Sequence, residues 1–237
     1  MKKKVLSIAL VIALVAIMVS GTLAYFTDTD EVTNTFTVGS VKIEIYENNE
    51  ATTEDVISFG PLTPVVNVQN PSEDANYIQK AVNVKNTGAN DAYIRVHIAV
   101  PAALVGYLHL DLNEAGWTRQ TDSTATVNGV DYVVYTYDYD SAVASTVPTE
   151  LLLKGVYLGS DVDLEEDANG FLWFVRKENG EIVAQSGFLA HTKNADGSYT
   201  SNVINVLVAA QAIQAEGFTN GATAALNSGF TSNPWAN

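Results

Sequence analysis

Apolar and polar residues alternate with a period of two along most of this chain, which predicts β-strands rather than helices. The alternation is clearest in Val41–Glu47, where Val41, Ile43 and Ile45 are separated by polar residues. Further strands are predicted at 36–38, 77–85, 92–100, 124–127, 132–137, 171–176, 182–185 and 201–209. Many short strands with turns between them are typical of an antiparallel β-sandwich, so we expect an all-β fold.

Turn-forming residues separate these strands and predict which of them pair. Asn86–Asp91 is rich in Asn, Gly and Asp, and we expect it to join Tyr77–Lys85 to Ala92–Val100 as a hairpin with a long loop. Asn128-Gly129 is the strongest short hairpin signal, because both residues tolerate the positive φ of a tight turn. Glu178–Gly180 predicts a further hairpin in the same way.

Helical signals are few. Ala209–Glu216 is predicted to be a short helix, since Ala, Gln and Glu favour that conformation. Leu108–Trp117 is ambiguous and can include a helical turn, and the chain from Thr219 onward is expected to be loosely ordered. We expect one domain over residues 25–237, in which residues 104–191 are either an elaboration of the sandwich or a small inserted subdomain.

The first 24 residues have the pattern of a removable signal peptide. Three lysines precede an apolar run, Val5–Val19, which is interrupted only by Ser7. Thr22 and Ala24 are small enough for the specificity pockets of a signal peptidase, which places the cleavage between Ala24 and Tyr25. The alternative is an uncleaved membrane anchor, but the run is shorter than the roughly 20 residues that span a bilayer.

The charge of the chain excludes several classes of partner. It has 12 basic against 27 acidic residues and a formal charge of −15. Removing the leader removes three lysines and no acid, which leaves 9 against 27, a formal −18. Nucleic acid and anionic lipid need basic surface, so neither is an expected partner, and membrane contact is expected only through an uncleaved leader. The absence of cysteine excludes thiol catalysis and zinc–thiolate sites.

Histidines and carboxylates give little indication of chemistry. The three histidines, His97, His109 and His191, do not have the spacing of a zinc-binding helix. His97 is expected to face solvent on a strand, and the other two to lie in loops. We therefore predict no catalytic residue, no metal and no cofactor.

The densest group of carboxylates could in principle bind a cation. It consists of Asp161, Asp163, Glu165, Glu166 and Asp167. It lacks the sixth-position glycine and twelfth-position glutamate of a calcium loop. A solvated acidic loop is the first interpretation, and Asp161, Asp163, Glu165 and Asp167 are weak calcium candidates. Aromatic residues such as Trp117, Trp173 and Tyr132 are expected to pack in the core rather than to form a carbohydrate platform.

The region around the predicted cleavage site resembles the processing region of TasA/camelysin-like proteins. The matching residues are Gly21–Asp28 and the strand with Phe36, Gly39, Val41 and Ile43. A second, weaker similarity covers Val82–Gly88 and Asp91–Val96. The resemblance implies a jelly-roll-like sandwich, export from a Gram-positive bacterium, cleavage by a SipW-type signal peptidase, and a place in the extracellular or biofilm matrix.

In fibre-forming members of that family, the freed N-terminal segment completes the sheet of the next subunit. The resemblance implies that Tyr25–Phe36 is such a donor strand, with Tyr25, Phe26, Val32 or Phe36 filling side-chain pockets. The alternative is that the segment pairs within its own subunit.

The expected function is that of a secreted, non-enzymatic structural protein. Its partners would be further copies of itself and the signal peptidase, with a co-secreted matrix protein as a further candidate. The alternatives are a secreted module that binds carbohydrate or a surface partner and, least favoured, a secreted hydrolase.

Overall fold

The computed structural model describes residues 27–30, 41–52, 56–59, 62–67 and 69–235, which form three antiparallel sheets and one short α-helix. The predicted all-β class is therefore confirmed. Numbered in chain order, the elements are β1 (Thr27–Asp30), β2 (Ile43–Glu47), β3 (Glu50–Ala51), β4 (Val56–Phe59), β5 (Ile78–Asn86), β6 (Ala92–Pro101), β7 (Leu108–Leu112), β8 (Trp117–Arg119), β9 (Ser123–Val127), β10 (Val130–Tyr139), β11 (Leu153–Leu158), β12 (Val162–Glu166), β13 (Leu172–Glu178), β14 (Glu181–Lys193), β15 (Tyr199–Ser201), β16 (Ile204–Gln214) and α1 (Ala222–Gly229).

All three sheets contribute residues to the main hydrophobic core. The first runs in the order β1-β16-β6-β10-β8, with β4 also on β16 and β9 also on β10. The second runs β3-β2-β5-β11-β7, and the third runs β12-β13-β14-β15. Ile94, Val96 and Ile98 of the first sheet and Val84 of the second are fully buried in that core. Burying each of these side chains contributes about 1.5–3 kcal/mol.

The predicted hairpin between Tyr77–Lys85 and Ala92–Val100 is wrong. β5 pairs with β2 and β11 in the second sheet, whereas β6 pairs with β16 and β10 in the first. The intervening residues form a corner between sheets, and Asn86 holds it by donating from Nδ2 to the carbonyls of Asn90 and Val143, both at 2.8 Å. Turn residues mark where a strand ends but do not decide which strand it pairs with.

Both short hairpins are confirmed. Asn128 and Gly129 have φ values of 52° and 80°, and they connect β9 to β10. Asn179 and Gly180, at 52° and 85°, connect β13 to β14. Two successive residues with positive φ match the right-handed twist of the flanking strands, which is why Asn-Gly is favoured there.

The predictions for the C-terminal part of the chain are wrong in two places. Residues 209–214, expected to be helical, belong to strand β16, whose residues are buried on both faces of the sheet. The chain beyond Thr219 is ordered as α1 and a following segment, in which Leu226 and Trp235 are buried. Helix propensity is a weak preference, and burial between layers overrides it.

Residues 104–191 do not form one inserted unit. The part up to Leu158 supplies strands to both sandwich sheets, including β7 and β8 in the segment whose conformation the sequence left ambiguous. The third sheet begins at Val162 and continues to Ser201. Val162, Phe174 and Ala190 join the main core, so the third sheet packs against the sandwich.

Candidate assembly site and the polar layer behind it

The N-terminal strand β1 lies at an edge of the first sheet. β16 pairs with β6 along one side, while its other side is divided between β4 at Ile204–Leu207 and β1 at Ala210–Ile213. The pairing with β1 is antiparallel, with Thr27 opposite Ile213 and Asp30 opposite Ala210. The N-terminal segment therefore completes the hydrogen-bonding ladder of a strand that otherwise has an open edge.

The predicted donor segment is only partly described. Its residues Thr27–Asp30 pair within their own chain, which was the alternative left open by the sequence. Tyr25, Phe26, Val32 and Phe36 lie outside the described residues, as do Ala24 and the cleavage site, and their predicted roles stay predictions.

The part of β16 that β1 covers is buried on both faces. Ala210 and Ala212 are fully buried against the sandwich core. Gln211 and Ile213 are also buried and lie on the opposite face, where Ile213 packs with residues of α1. Unpaired backbone groups on such a strand are costly, so pairing with β1 stabilises this edge.

The C-terminal segment covers the outer face of the first sheet. Ala222, Ala225 and Leu226 of α1 pack on Ile213. Beyond the helix, Trp235 packs in a second apolar cluster, composed of Ala99, Ala125, Tyr132, Val134, Leu207 and Ala209. A layer of polar side chains lies between the two clusters.

The centre of this polar layer is a buried ion pair between neighbouring strands. Arg95 on β6 stands opposite Asp138 on β10 and donates from Nε to Oδ1 at 2.6 Å and from Nη2 to Oδ2 at 3.0 Å. Arg95 Nη2 also lies 2.7 Å from the side-chain oxygen of Asn227. Arg95 is 6% exposed and Asp138 is fully buried, so each charge depends on the other for compensation.

His97 belongs to the same layer, and the prediction that it faces solvent is wrong. Its exposed fraction is 2%. Nε2 lies 3.0 Å from Gln211 Oε1 and therefore donates to it, while Nδ1 accepts from the hydroxyl of Thr136 at 2.9 Å. Alternation alone indicated an exposed face, but the C-terminal segment covers that face.

Burial lowers the pKa of His97 to about 4, and the positive charge of Arg95 acts in the same direction. The hydrogen bond to Gln211 and the charge of Asp138 oppose this shift but do not cancel it. The neutral imidazole is therefore the form that the folded protein holds. An unfolded chain takes up a proton near pH 6.5, so acid favours unfolding.

We expect the contribution of His97 to stability to be complete above pH 6.5 and to be lost as the pH falls from 6.5 to 4. The separation of the two pKa values corresponds to about 3 kcal/mol. Urea unfolding between pH 7 and 4 would measure it, with His97→Gln as the comparison because glutamine does not titrate. Equal pH slopes for the two proteins would contradict this account.

The acidic cluster forms ion pairs rather than a common binding centre. Asp163 and Glu165 project from the same face of β12 and share Lys177, at 2.8 and 3.1 Å. Asp161 pairs with Arg176 at 2.7 Å, and Glu166 pairs with Lys193 at 3.1 Å. Asp167 accepts from the backbone of Asn169 and Phe171 and from the indole of Trp173. The expected solvated loop is largely strand β12, because all five of its residues pair with β13 and its first residue, Val162, is buried.

The other two histidines lie on strands, not in loops as predicted. His109 on β7 stacks on Tyr157 with ring centroids 5.2 Å apart. His191 on β14 contacts the hydroxyl of Ser201 through Nδ1 at 3.1 Å. Within the described ranges, no group of three or more His, Cys, Asp or Glu side chains is arranged to hold a metal ion.

The aromatic residues lie largely where the sequence predicted them. Trp117 and Tyr132 are buried, and Trp173 is half-buried at the acidic turn. Of the helices in the described ranges, none has the length and apolar character needed to cross a bilayer.

Comparisons of the chain with models of protein families, with curated proteins and with solved structures found no match. The resemblance to TasA/camelysin-like proteins therefore rests on the residues named above and stays a prediction.

Proposed function

We propose that this protein is a secreted structural protein that assembles into fibres by exchanging its N-terminal strand between copies. The observation that supports the proposal is the pairing of β1 with the outer edge of β16. A strand close to the predicted cleavage site that completes a buried edge can be supplied equally well by a second copy.

The exchange requires no new contact surface. A β1 strand from a neighbour would form the same ladder with Ala210–Ile213 that the chain's own strand forms. Ten residues, 31–40, connect β1 to the described chain at Val41, and fully extended they reach roughly 33–36 Å. That length allows β1 to leave its own β16 and to reach the β16 of an adjacent molecule.

Proteolytic processing would control when exchange begins. In this proposal, residues 1–24 are the leader, and cleavage after Ala24 by a SipW-type peptidase frees the end of the chain two residues before β1. Each processed copy has a formal charge of −18, the difference between 9 basic and 27 acidic residues, so copies repel one another in dilute medium. Salt should therefore promote association by screening this repulsion.

The direct test compares two purified proteins, the mature chain that begins at Tyr25 and a chain that lacks Tyr25–Thr33. We expect the mature chain to form fibres in negative-stain microscopy and light scattering at moderate salt. The shortened chain retains the core and should stay folded by circular dichroism but remain monomeric. N-terminal sequencing of secreted material should begin at Tyr25.

Fibres of equal length from both proteins would contradict strand exchange. The same would hold if the secreted chain began beyond Phe36, because the strand would then be missing from the natural product.

A further inference from the structure

A polar cleft separates the C-terminal segment from the connection between β8 and β9. Its volume is about 260 Å³, and its floor consists of Arg95, His97 and Thr136. Hydrogen bonds join its two walls: Asn233 donates to Ser123 Oγ at 2.9 Å, and Gln120 Nε2 lies 3.4 Å from the hydroxyl of Thr223. These bonds fix the distance between the walls, so the cleft is preformed.

The floor of the cleft has no net charge. Arg95 lines it, but both oxygens of Asp138 compensate that charge. His97 is neutral because its burial depresses its pKa. On a chain with a formal charge of −15, this is a locally neutral surface that does not favour a charged ligand.

Several hydrogen-bonding groups in the cleft are available to a ligand. The side-chain hydroxyls of Thr121, Thr231 and Ser232 line it and have no hydrogen-bond partner in the part of the chain that the structure describes. Arg95 uses Nε and Nη2 for Asp138 and Asn227, which leaves Nη1 to donate. The side-chain oxygen of Gln120 can accept, since its amide nitrogen makes the bonds to Thr118 and Thr223.

Phe230 gives the wall of the cleft an apolar aromatic component. Phe230 is half-buried and packs against the apolar cluster that α1 forms with Ile213. A neutral ligand with many hydroxyls and one apolar face would use all of these groups together. The volume lies just below the usual range of about 300–1,000 Å³ for small-molecule pockets, which fits a single ring.

We propose that this cleft binds one uncharged hexose ring, either as a free sugar or as a unit of a neutral glycan. The hydroxyls and amides would bond to the sugar hydroxyls, and Phe230 would contact the apolar face of the ring. The inference does not depend on fibre assembly, because the cleft lies in a single copy of the chain.

The test is an amide NMR titration of the mature chain at low salt, where charge repulsion keeps the copies apart, with glucose, galactose, mannose and N-acetylglucosamine, and with glucuronate as the charged comparison. We expect saturable shifts at Thr231 and Ser232 with at least one neutral sugar, and much weaker shifts with glucuronate. The double variant Thr231→Ala/Ser232→Ala should weaken binding about tenfold, because it removes two hydrogen bonds to the sugar. Phe230→Leu should also weaken it.

Thr219→Ala is the matched control, because Thr219 is an exposed hydroxyl residue just before α1 and outside the cleft. It should bind as the unchanged protein does. Tighter binding of the matching disaccharides would assign a glycan chain as the ligand, and equal binding would assign a free sugar. No saturable shift with any of the neutral sugars, or affinity unchanged in the double variant, would overturn the proposal.

Discussion

A disulfide that fastens β1 to its own β16 is expected to hold the mature protein as a monomer, and reduction is expected to start fibre growth. Asp28 stands directly opposite Ala212 in the antiparallel pair, so Asp28→Cys/Ala212→Cys places the two sulfurs on facing positions. Cα atoms of such pairs lie about 4.5–5.5 Å apart, within the range that a disulfide spans. The natural chain has no cysteine, so the new pair would contain the only thiols.

Oxidation before assembly and oxidation after assembly should give different products, and this difference is specific to strand exchange. Oxidation of monomers should abolish assembly, because β1 can no longer leave β16. Oxidation of fibres that formed under reducing conditions should instead link neighbouring copies covalently, giving a ladder of multimers in denaturing gels without reductant. Light scattering and non-reducing gels measure the two outcomes.

A control with the same number of cysteines tests the register. Asp28→Cys/Ala210→Cys places the sulfurs diagonally, since Ala210 stands opposite Asp30. Diagonal neighbours lie about 7–8 Å apart, beyond the reach of an unstrained disulfide. This variant should therefore assemble under either condition. Fibres from the oxidised, locked protein would show that assembly uses another surface.

The second prediction with a large expected effect is a loss of stability when the buried Arg95–Asp138 ion pair is broken. We expect Asp138→Asn to lower the free energy of unfolding by about 3–5 kcal/mol, because it leaves the Arg95 guanidinium buried without its compensating charge. For a chain of this length, the loss corresponds to a decrease in Tm of about 10 °C. Urea unfolding at pH 7 and a thermal melt would both measure it.

Asp131→Asn is the matched control, since Asp131 lies on the same strand, is exposed and accepts a bond only from Thr126 among the described residues. Asp131→Asn should change the free energy of unfolding by no more than about 0.5 kcal/mol, as is usual for surface positions. Replacing both charged partners with apolar residues, as in Arg95→Met/Asp138→Leu, should recover much of the loss, because no unpaired charge remains. A similar loss for Asp138→Asn and Asp131→Asn would contradict the assigned role of the ion pair.

The candidate assembly site could be predicted from the sequence only in part. The cleavage pattern at Ala24 and Tyr25 predicted that the segment after it is a strand used in pairing. The described part of that segment does form a strand at a sheet edge. The strand that it pairs with could not be predicted, because Ala209–Glu216 has the composition of a helix. Arg95, Asp138 and the hydroxyls of the polar cleft were also missed, since isolated polar residues on separate strands carry no local signal.

Features that depend on neighbours in the chain could be predicted without a structure. Alternation indicated most of the strands, and Asn128-Gly129 and Asn179-Gly180 indicated their hairpins, because a tight turn imposes positive φ on two successive residues. The pairing of distant strands and the covering of their faces emerged only from the folded molecule. Asn86–Asp91 turns a corner between sheets, and His97 is buried because a segment more than a hundred residues further along packs over it. Which strands pair, and which faces are buried, depends on how distant parts of the chain pack together. A local sequence pattern does not contain that information.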